Sequence, residues 1–319
     1  MDPLLFAQDL EQGSARFREL LDVLEREDPW APAITAPPRR IVLLGMGSSH
    51  FANSVLALRL QASGIAALAV LASADPLPMV TEDDLVIAVS ASGGSAETLA
   101  ATRHYAGRCR TVAVTNTEGS AVQSLCDTHV ALLAGVEEGG VACRSFTHTL
   151  ALHLALLDRL TGSFVSTPAL RGAISATEDL LQRRDAWLDD VSGLLLGPDG
   201  TTFVAPVRRL SNAQQSALML REGPRLPAIA CETGDWSHID VYLTKTTDYR
   251  MMLLPGSVWE PQLWEWVTLR GSTVVVAGAD APEAALCLRY ANDSEDDVRL
   301  LAEPLIASLV SARTWAAQS

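Results

Sequence analysis

Two short runs of serine and glycine carry the clearest chemistry in this chain: Gly45-Met46-Gly47-Ser48-Ser49-His50 and Ser90-Ala91-Ser92-Gly93-Gly94-Ser95. Each follows an apolar run with strand character, Ile41-Val42-Leu43-Leu44 in the first case and Leu85-Val86-Ile87-Ala88-Val89 in the second. Each then leads into a helical stretch. Glycine lets the backbone turn tightly and approach a ligand closely. The first turn of the following helix offers unpaired N–H groups and a partial positive charge to an anion. Hydroxyls from Ser48, Ser49, Ser90, Ser92 and Ser95, with the backbone at Gly47 and Gly93, complete a cradle suited to phosphate. Either run alone could be a packing turn; two after neighbouring strands converge on one phosphoryl group. A dinucleotide site expects a third glycine where His50 stands and an acidic residue about 20 positions on, and the chain has neither in convincing form.

A second group of candidates lies in the C-terminal half. Glu222 falls on a helix starting near Ala213, and His238 follows it by 16 residues in Gly234-Asp235-Trp236-Ser237-His238. A buried carboxylate with a raised pKa can move a proton near neutral pH. An imidazole titrates in the range needed to serve a ring oxygen and a hydroxyl. The plainer alternatives are a surface or capping glutamate and a core histidine, and Glu232, Asp235 and Asp240 are nearby acids able to replace or assist Glu222. His104, His129, His148 and His153 show no ligand spacing, so no metal or other role is assigned to them. Trp259, Trp264 and Trp266 read as packing or a dimer surface.

The elements that must position these residues alternate. Residues 3–27 have the apolar spacing of an amphipathic helix, ended by the proline-rich stretch from Pro29 to Pro38. Apolar runs follow at about 40–45, 66–72, 85–90, 110–115 and 129–133, with helical stretches between the early ones. Long helices are expected over 144–161 and about 167–194. Five more runs then recur at about 201–206, 227–231, 250–254, 273–277 and 284–289. Strands alternating with helices predict an α/β protein: two doubly wound, five-stranded parallel sheets in tandem, with an N-terminal helix. The boundaries expected are 1–38 for the helix and linker, 39–165 for the first domain and 195–319 for the second.

Composition narrows the partners. A net charge of -14 argues against nucleic acid, whose phosphates need a basic face, and against a polybasic membrane contact. An anionic small molecule is still accommodated by backbone N–H groups. No apolar run approaches the roughly 20 residues that span a bilayer. The N-terminus lacks a basic segment followed by an apolar one, and the five cysteines are scattered, so a reducing cytoplasm is expected.

The pair Gly-x-Gly-x-Ser and Ser-x-Ser-Gly-x-Ser, each after a strand, resembles the sugar isomerase (SIS) domain family. Glu11-Gln12-Gly13 looks like the Glu-Gln-Pro of its synthase-like members, and Glu138 to Thr147 is similar to their Glu-x-x-Val-Ala-(Ser/Gln)-Thr-Lys-x-Phe-Thr segment, one residue shorter and with Arg144 in place of lysine. The Glu222 to His238 interval matches too, although Ile239-Asp240 stands where that family has Gly-Pro. The resemblance implies flavodoxin-like SIS subdomains and a hexose or amino-hexose phosphate ligand lined also by Val141 and Ala142. It further implies proton transfer between C1 and C2 by Glu222, ring opening by His238, no cofactor, and a homodimer in which the histidine crosses the interface. The function implied is a phosphosugar isomerase or an amino-sugar-phosphate deaminase or deglycase; the alternative is a non-catalytic phosphosugar sensor. Synthase-like members form a Schiff base on a lysine near the C-terminus. Here the tail has none, Lys245 is the only lysine in the chain, and arginine stays protonated, so Schiff-base chemistry is not expected. Ammonia from glutamine is not expected either, since no N-terminal cysteine nucleophile is present.

Overall fold

The computed structural model describes residues 1–318. The chain opens with α1 (Pro3–Glu11) and α2 (Gly13–Arg26), followed by β1 (Ile41–Gly45), α3 (Gly47–Ala62), β2 (Ala67–Leu71), β3 (Leu85–Val89), α4 (Ala96–Tyr105), β4 (Arg110–Thr115), β5 (Thr128–Ala131) and α5 (Arg144–Thr161). Next come α6 (Ser166–Gln182), α7 (Leu188–Leu195), β6 (Thr201–Ala205), α8 (Leu210–Glu222), β7 (Ala228–Glu232), α9 (Thr233–Trp236) and β8 (Arg250–Leu253). The chain continues through α10 (Glu260–Arg270), β9 (Thr273–Ala277), β10 (Leu286–Leu288), α11 (Asp296–Ala302) and α12 (Pro304–Gln318).

Two compact units result. The first comprises Ala15–Val136 and Arg144–Arg171; the second comprises Met1–Ser14, Glu137–Cys143 and the chain from Gly172 onward. Each holds one five-stranded, wholly parallel sheet. The orders are β2-β1-β3-β4-β5 and β10-β9-β8-β6-β7, which are the same order when each set is counted from its own first strand. Every residue of β1, β3 and β6 is buried, as expected of parallel strands covered on both faces.

The period of two is plain in the second unit. Phe203, Ala205, Met252, Val275 and Ala277 face one core with Phe6, Leu10, Met219 and Val310. The intervening Val204, Met251, Leu253, Val274 and Val276 face another with Trp236, Tyr249, Leu263 and Val267. Removing each of the valine, leucine, methionine and phenylalanine side chains among them from water contributes roughly 1.5–3 kcal/mol. In the first unit Trp30 is fully buried, and its Nε1 donates to Leu152 O at 2.8 Å.

Two helix expectations need correction. The N-terminal helix is broken at Gln12, where Gly13 starts α2; glycine is a poor helix-interior residue, and the break lets α1 pack on α12 in the second unit. The helix expected over 167–194 ends at Gln182. Trp187 leaves the helical region, with φ of -135° and ψ of -24°, is buried, and donates from Nε1 to Leu180 O at 3.1 Å. Burying that ring outweighs continuation of the helix.

Candidate functional site

In the first unit the carboxyl ends of β1 and β3 lie side by side, with Leu44 opposite Ala88. From β1 the chain moves to β2 through α3; from β3 it moves the other way, to β4 through α4. That reversal opens a crevice between the strand ends, the place where open parallel sheets bind ligands. Both serine runs sit at its mouth. At the first, Met46 precedes α3 with no side chain capping the helix, and Gly47 has a φ of 49°. Ser48 and Ser49 are half-buried. A Cβ on Gly45 would come 2.9 Å from both Ser49 Cβ and Asn53 Nδ2, so glycine is what allows α3 to begin so close to its strand.

At the second run Ser90 is 6% exposed and Ser92 is open to solvent. Gly93 has a φ of 65°, and a Cβ there would overlap Ser120. Its N–H donates to Ser90 O at 3.0 Å, and its carbonyl accepts from Val122 N at 3.0 Å. The N-terminus of α4 is also uncapped. The Ser95 hydroxyl donates to Thr98 Oγ1 at 2.6 Å instead, while the Ser92 hydroxyl accepts from Gly94 N at 3.3 Å and keeps its own proton to donate.

The corresponding crevice of the second unit, between the ends of β6 and β8, is filled. Arg209 is fully buried and donates to Glu303 at 3.2 Å, to Asp296 and to Pro255 O. Arg208 donates to Asp296 at 2.9 Å and to Gly256 O at 2.9 Å. Arg299 donates to Pro255 O at 3.0 Å and to Gly278 O. Where the first sheet presents glycine and serine, the second presents its own ion pairs.

Glu222 is the last residue of α8, and its Oε2 is buried without a hydrogen-bond partner. Burial pushes its pKa up; the Arg221 charge opposes this and the Glu137 charge adds to it. His238 is exposed beyond α9, held through its N–H to Asp235 O at 2.8 Å. Between the two lies β7, five residues long, or roughly 16 Å at the rise of a strand. Glu222 is therefore at the amino edge of the second sheet and His238 at its carboxyl edge. One chain does not bring them together. Of the alternative acids, Glu232 is occupied in accepting from Gly234 N (2.7 Å) and Asp235 N (3.0 Å), and Asp235 is exposed. Asp240 is half-buried, and burial raises its pKa.

Residues 35–159 match the SIS domain family. Over those residues the chain matches a SIS domain. It is 29% identical over 247 residues to the glutamine–fructose-6-phosphate aminotransferase (isomerizing) of Aeropyrum pernix, covering 70% of this chain and 40% of that protein. The chain thus spans well under half the length of that relative. Among solved structures, the C-terminal domain of glucosamine-fructose-6-phosphate aminotransferase from Francisella tularensis superposes with a TM-score of 0.84 at 16% identity, covering 98% of this chain and 96% of that one. Tagatose-6-phosphate ketose/aldose isomerase from Escherichia coli gives 0.79 at 16% identity, over 99% and 94%. These two likenesses establish the shared fold.

Val141 and Ala142 lie in the segment 137–143 of the second unit. Val141 is buried, and Ala142 O accepts from Gln215 Nε2 at 2.9 Å. Arg144, where synthase-like SIS proteins have lysine, is 3% exposed and donates to Ala134 O at 2.9 Å and to Val136 O. It is thereby committed to the backbone. Lys245 is exposed, with its ammonium 5.7 Å from the Tyr242 ring centroid. The tail that lacks lysine forms α12 as far as Gln318; Ser319 lies outside the described residues. Sequence reasoning passed over Glu137, whose only signal was a carboxylate standing just before the shortened motif. Among the described residues no cluster of three metal-ligating side chains occurs, and no helix is long and apolar enough to cross a membrane.

Proposed function

We propose that this SIS protein is an enzyme acting on an open-chain sugar phosphate, as an isomerase or as an amino-sugar-phosphate deaminase or deglycase. The observation that carries this reading is the pair of uncapped helix N-termini, with Ser48, Ser49, Ser90 and Ser92, at the open crevice of the first sheet. Such a cradle holds a phosphate dianion through charge-assisted hydrogen bonds without any basic side chain. Glu222, with its raised pKa, takes a proton from one of C1 and C2 and returns it to the other through an enediol or enolamine. His238 serves ring opening. Because it stands at the far edge of its own sheet from Glu222, it acts on the site of a second copy, and the protein works as a homodimer. Lys245 takes no part, so no Schiff base forms.

The test is hydrogen exchange. The protein is incubated with fructose 6-phosphate or glucosamine 6-phosphate in deuterated water, and label at C1 and C2 is read by mass spectrometry. Label should enter with the native protein and be lost in Glu222→Gln, which should still bind the ester. One observation favours a second reading, that of a sensor: Arg144, at the motif's cationic position, is diverted to backbone carbonyls. Ligand-induced stabilisation with no exchange would establish the sensor.

A further inference from the structure

Directly under the first serine run, α3 carries a residue out of keeping with its surroundings. The other buried positions of this helix are Ala52, Val55, Leu56, Ala57 and Leu60, and Asn53 stands among them fully buried. Asparagine is a poor helix-interior residue, and a buried carboxamide with nothing to bond costs free energy that an apolar side chain of the same shape would not. Among the described residues neither Asn53 Oδ1 nor Asn53 Nδ2 has a hydrogen-bond partner. Polar groups close by in the chain are spoken for: Gly45 O accepts from Ala72 N at 3.1 Å, Ser49 N donates to Met46 O at 3.1 Å, and the Ser54 hydroxyl donates to His50 O at 2.9 Å. The side chains of β1 are all apolar.

The carboxamide is aimed at the cradle. In a helix the Cα–Cβ bond tilts toward the N-terminus, so a side chain covers the turn before its own, and for Asn53 that turn holds Ser49. A Cβ on Gly45 would lie 2.9 Å from Ser49 Cβ and 2.9 Å from Asn53 Nδ2. The two groups are therefore no more than twice that distance apart, on the same side of the end of β1. A serine hydroxyl has one proton to donate and lone pairs left to accept. When the Ser49 proton goes to a phosphate oxygen, the hydroxyl oxygen is open to Asn53 Nδ2, and hydrogen bonds in such a chain strengthen one another.

We propose that Asn53 is a positioning residue for the phosphoryl group: it acts through Ser49, donating to the hydroxyl that in turn donates to the phosphate. This rests on the reading of the serine cradle as the phosphate site. Its burial without a protein partner is then stability forgone for the sake of binding.

The experiment is calorimetric titration of inorganic phosphate and of fructose 6-phosphate into the native protein, Asn53→Leu, Ser49→Ala and the double variant, each with a melting curve. Leucine has the branched shape of asparagine without its polar atoms; Asn53→Ala takes its place in the same comparison should leucine not fit. Asn53→Leu should bind both anions about tenfold more weakly while melting at the same temperature or higher. In the Ser49→Ala background the same change should have little further effect, because the group through which it acts is gone. A purely structural role would lower the melting temperature and leave affinity unmoved. That result would overturn the proposal, and so would losses that simply add in the double variant. Ser90→Ala/Ser92→Ala is the control: if it loses affinity while Asn53→Leu does not, the cradle stands and only the role of Asn53 falls. If the native protein takes neither anion, the cradle reading fails and the role of Asn53 with it.

Discussion

Glu222 and His238 stand at opposite ends of the same edge strand, the glutamate before β7 and the histidine beyond it. A chain that uses both on one sugar must receive one of them from another copy. Two variants, Glu222→Gln and His238→Gln, should each lose exchange activity when pure. Mixed and allowed to re-equilibrate as dimers, they should recover roughly a quarter of it, since half the dimers are hybrids and each hybrid carries one intact site. Exchange assays on mixtures check this; activity that never exceeds that of the pure variants would place the histidine in the same chain's site or outside the chemistry.

Arg209 supports the closed crevice of the second sheet. Replacing it with methionine leaves Glu303 and Asp296 without their shared cation, and removing one partner of a buried pair costs about 3–5 kcal/mol. Burial already pushes the Glu303 pKa up. Thermal unfolding should fall steeply in Arg209→Met and recover substantially in Arg209→Met/Glu303→Leu. Calorimetric titration of the native protein should give one phosphosugar per chain, because only the first sheet's crevice is open.

Acid should destabilise the first unit through two histidines. His148 donates from Nδ1 to Leu132 O at 2.8 Å, and burial holds its pKa down at about 4; burial holds that of His153 at about 3. In the unfolded chain both titrate near 6.5, so between those values the unfolded state binds more protons. Stability is therefore full above about pH 6.5 and falls as the pH drops toward 4 and then 3. Melting curves taken between pH 7 and pH 4 should show this slope, and His153→Leu should flatten it; an unchanged slope would mean that the ring is not held neutral.

Gly93 is tested by Gly93→Ala. The left-handed φ of 65° and the overlap with Ser120 together predict a loss of about 2–4 kcal/mol. Binding of a phosphosugar should weaken even at temperatures where the variant remains folded, because the loop from Ser90 to Ser95 must move. Equal stability and affinity would show that this loop is not tightly built.

The strands were legible because parallel, doubly covered β-strands are written as short apolar runs between glycine and serine turns. All ten runs lie where β1–β10 form. The crevice of the first sheet could likewise be inferred, since glycines at 45, 47 and 93 leave their mark in the sequence. The breaks at Gln12 and Trp187 could not, because each depends on packing against distant helices rather than on local propensity. The ion pairs that fill the second crevice were equally hidden. Arg209 and Glu303 are 94 residues apart, and charged residues ordinarily read as surface.

The central claim is that hydroxyls and uncapped helix ends at the first sheet's crevice hold the phosphate, and it is most directly tested by calorimetric titration of fructose 6-phosphate into the native protein and into Ser90→Ala/Ser92→Ala. A hydrogen bond to a charged partner contributes about 1.5–3 kcal/mol. The double variant should therefore bind on the order of 100-fold more weakly or worse, with its melting temperature nearly unchanged. Affinity equal to that of the native protein would contradict the account.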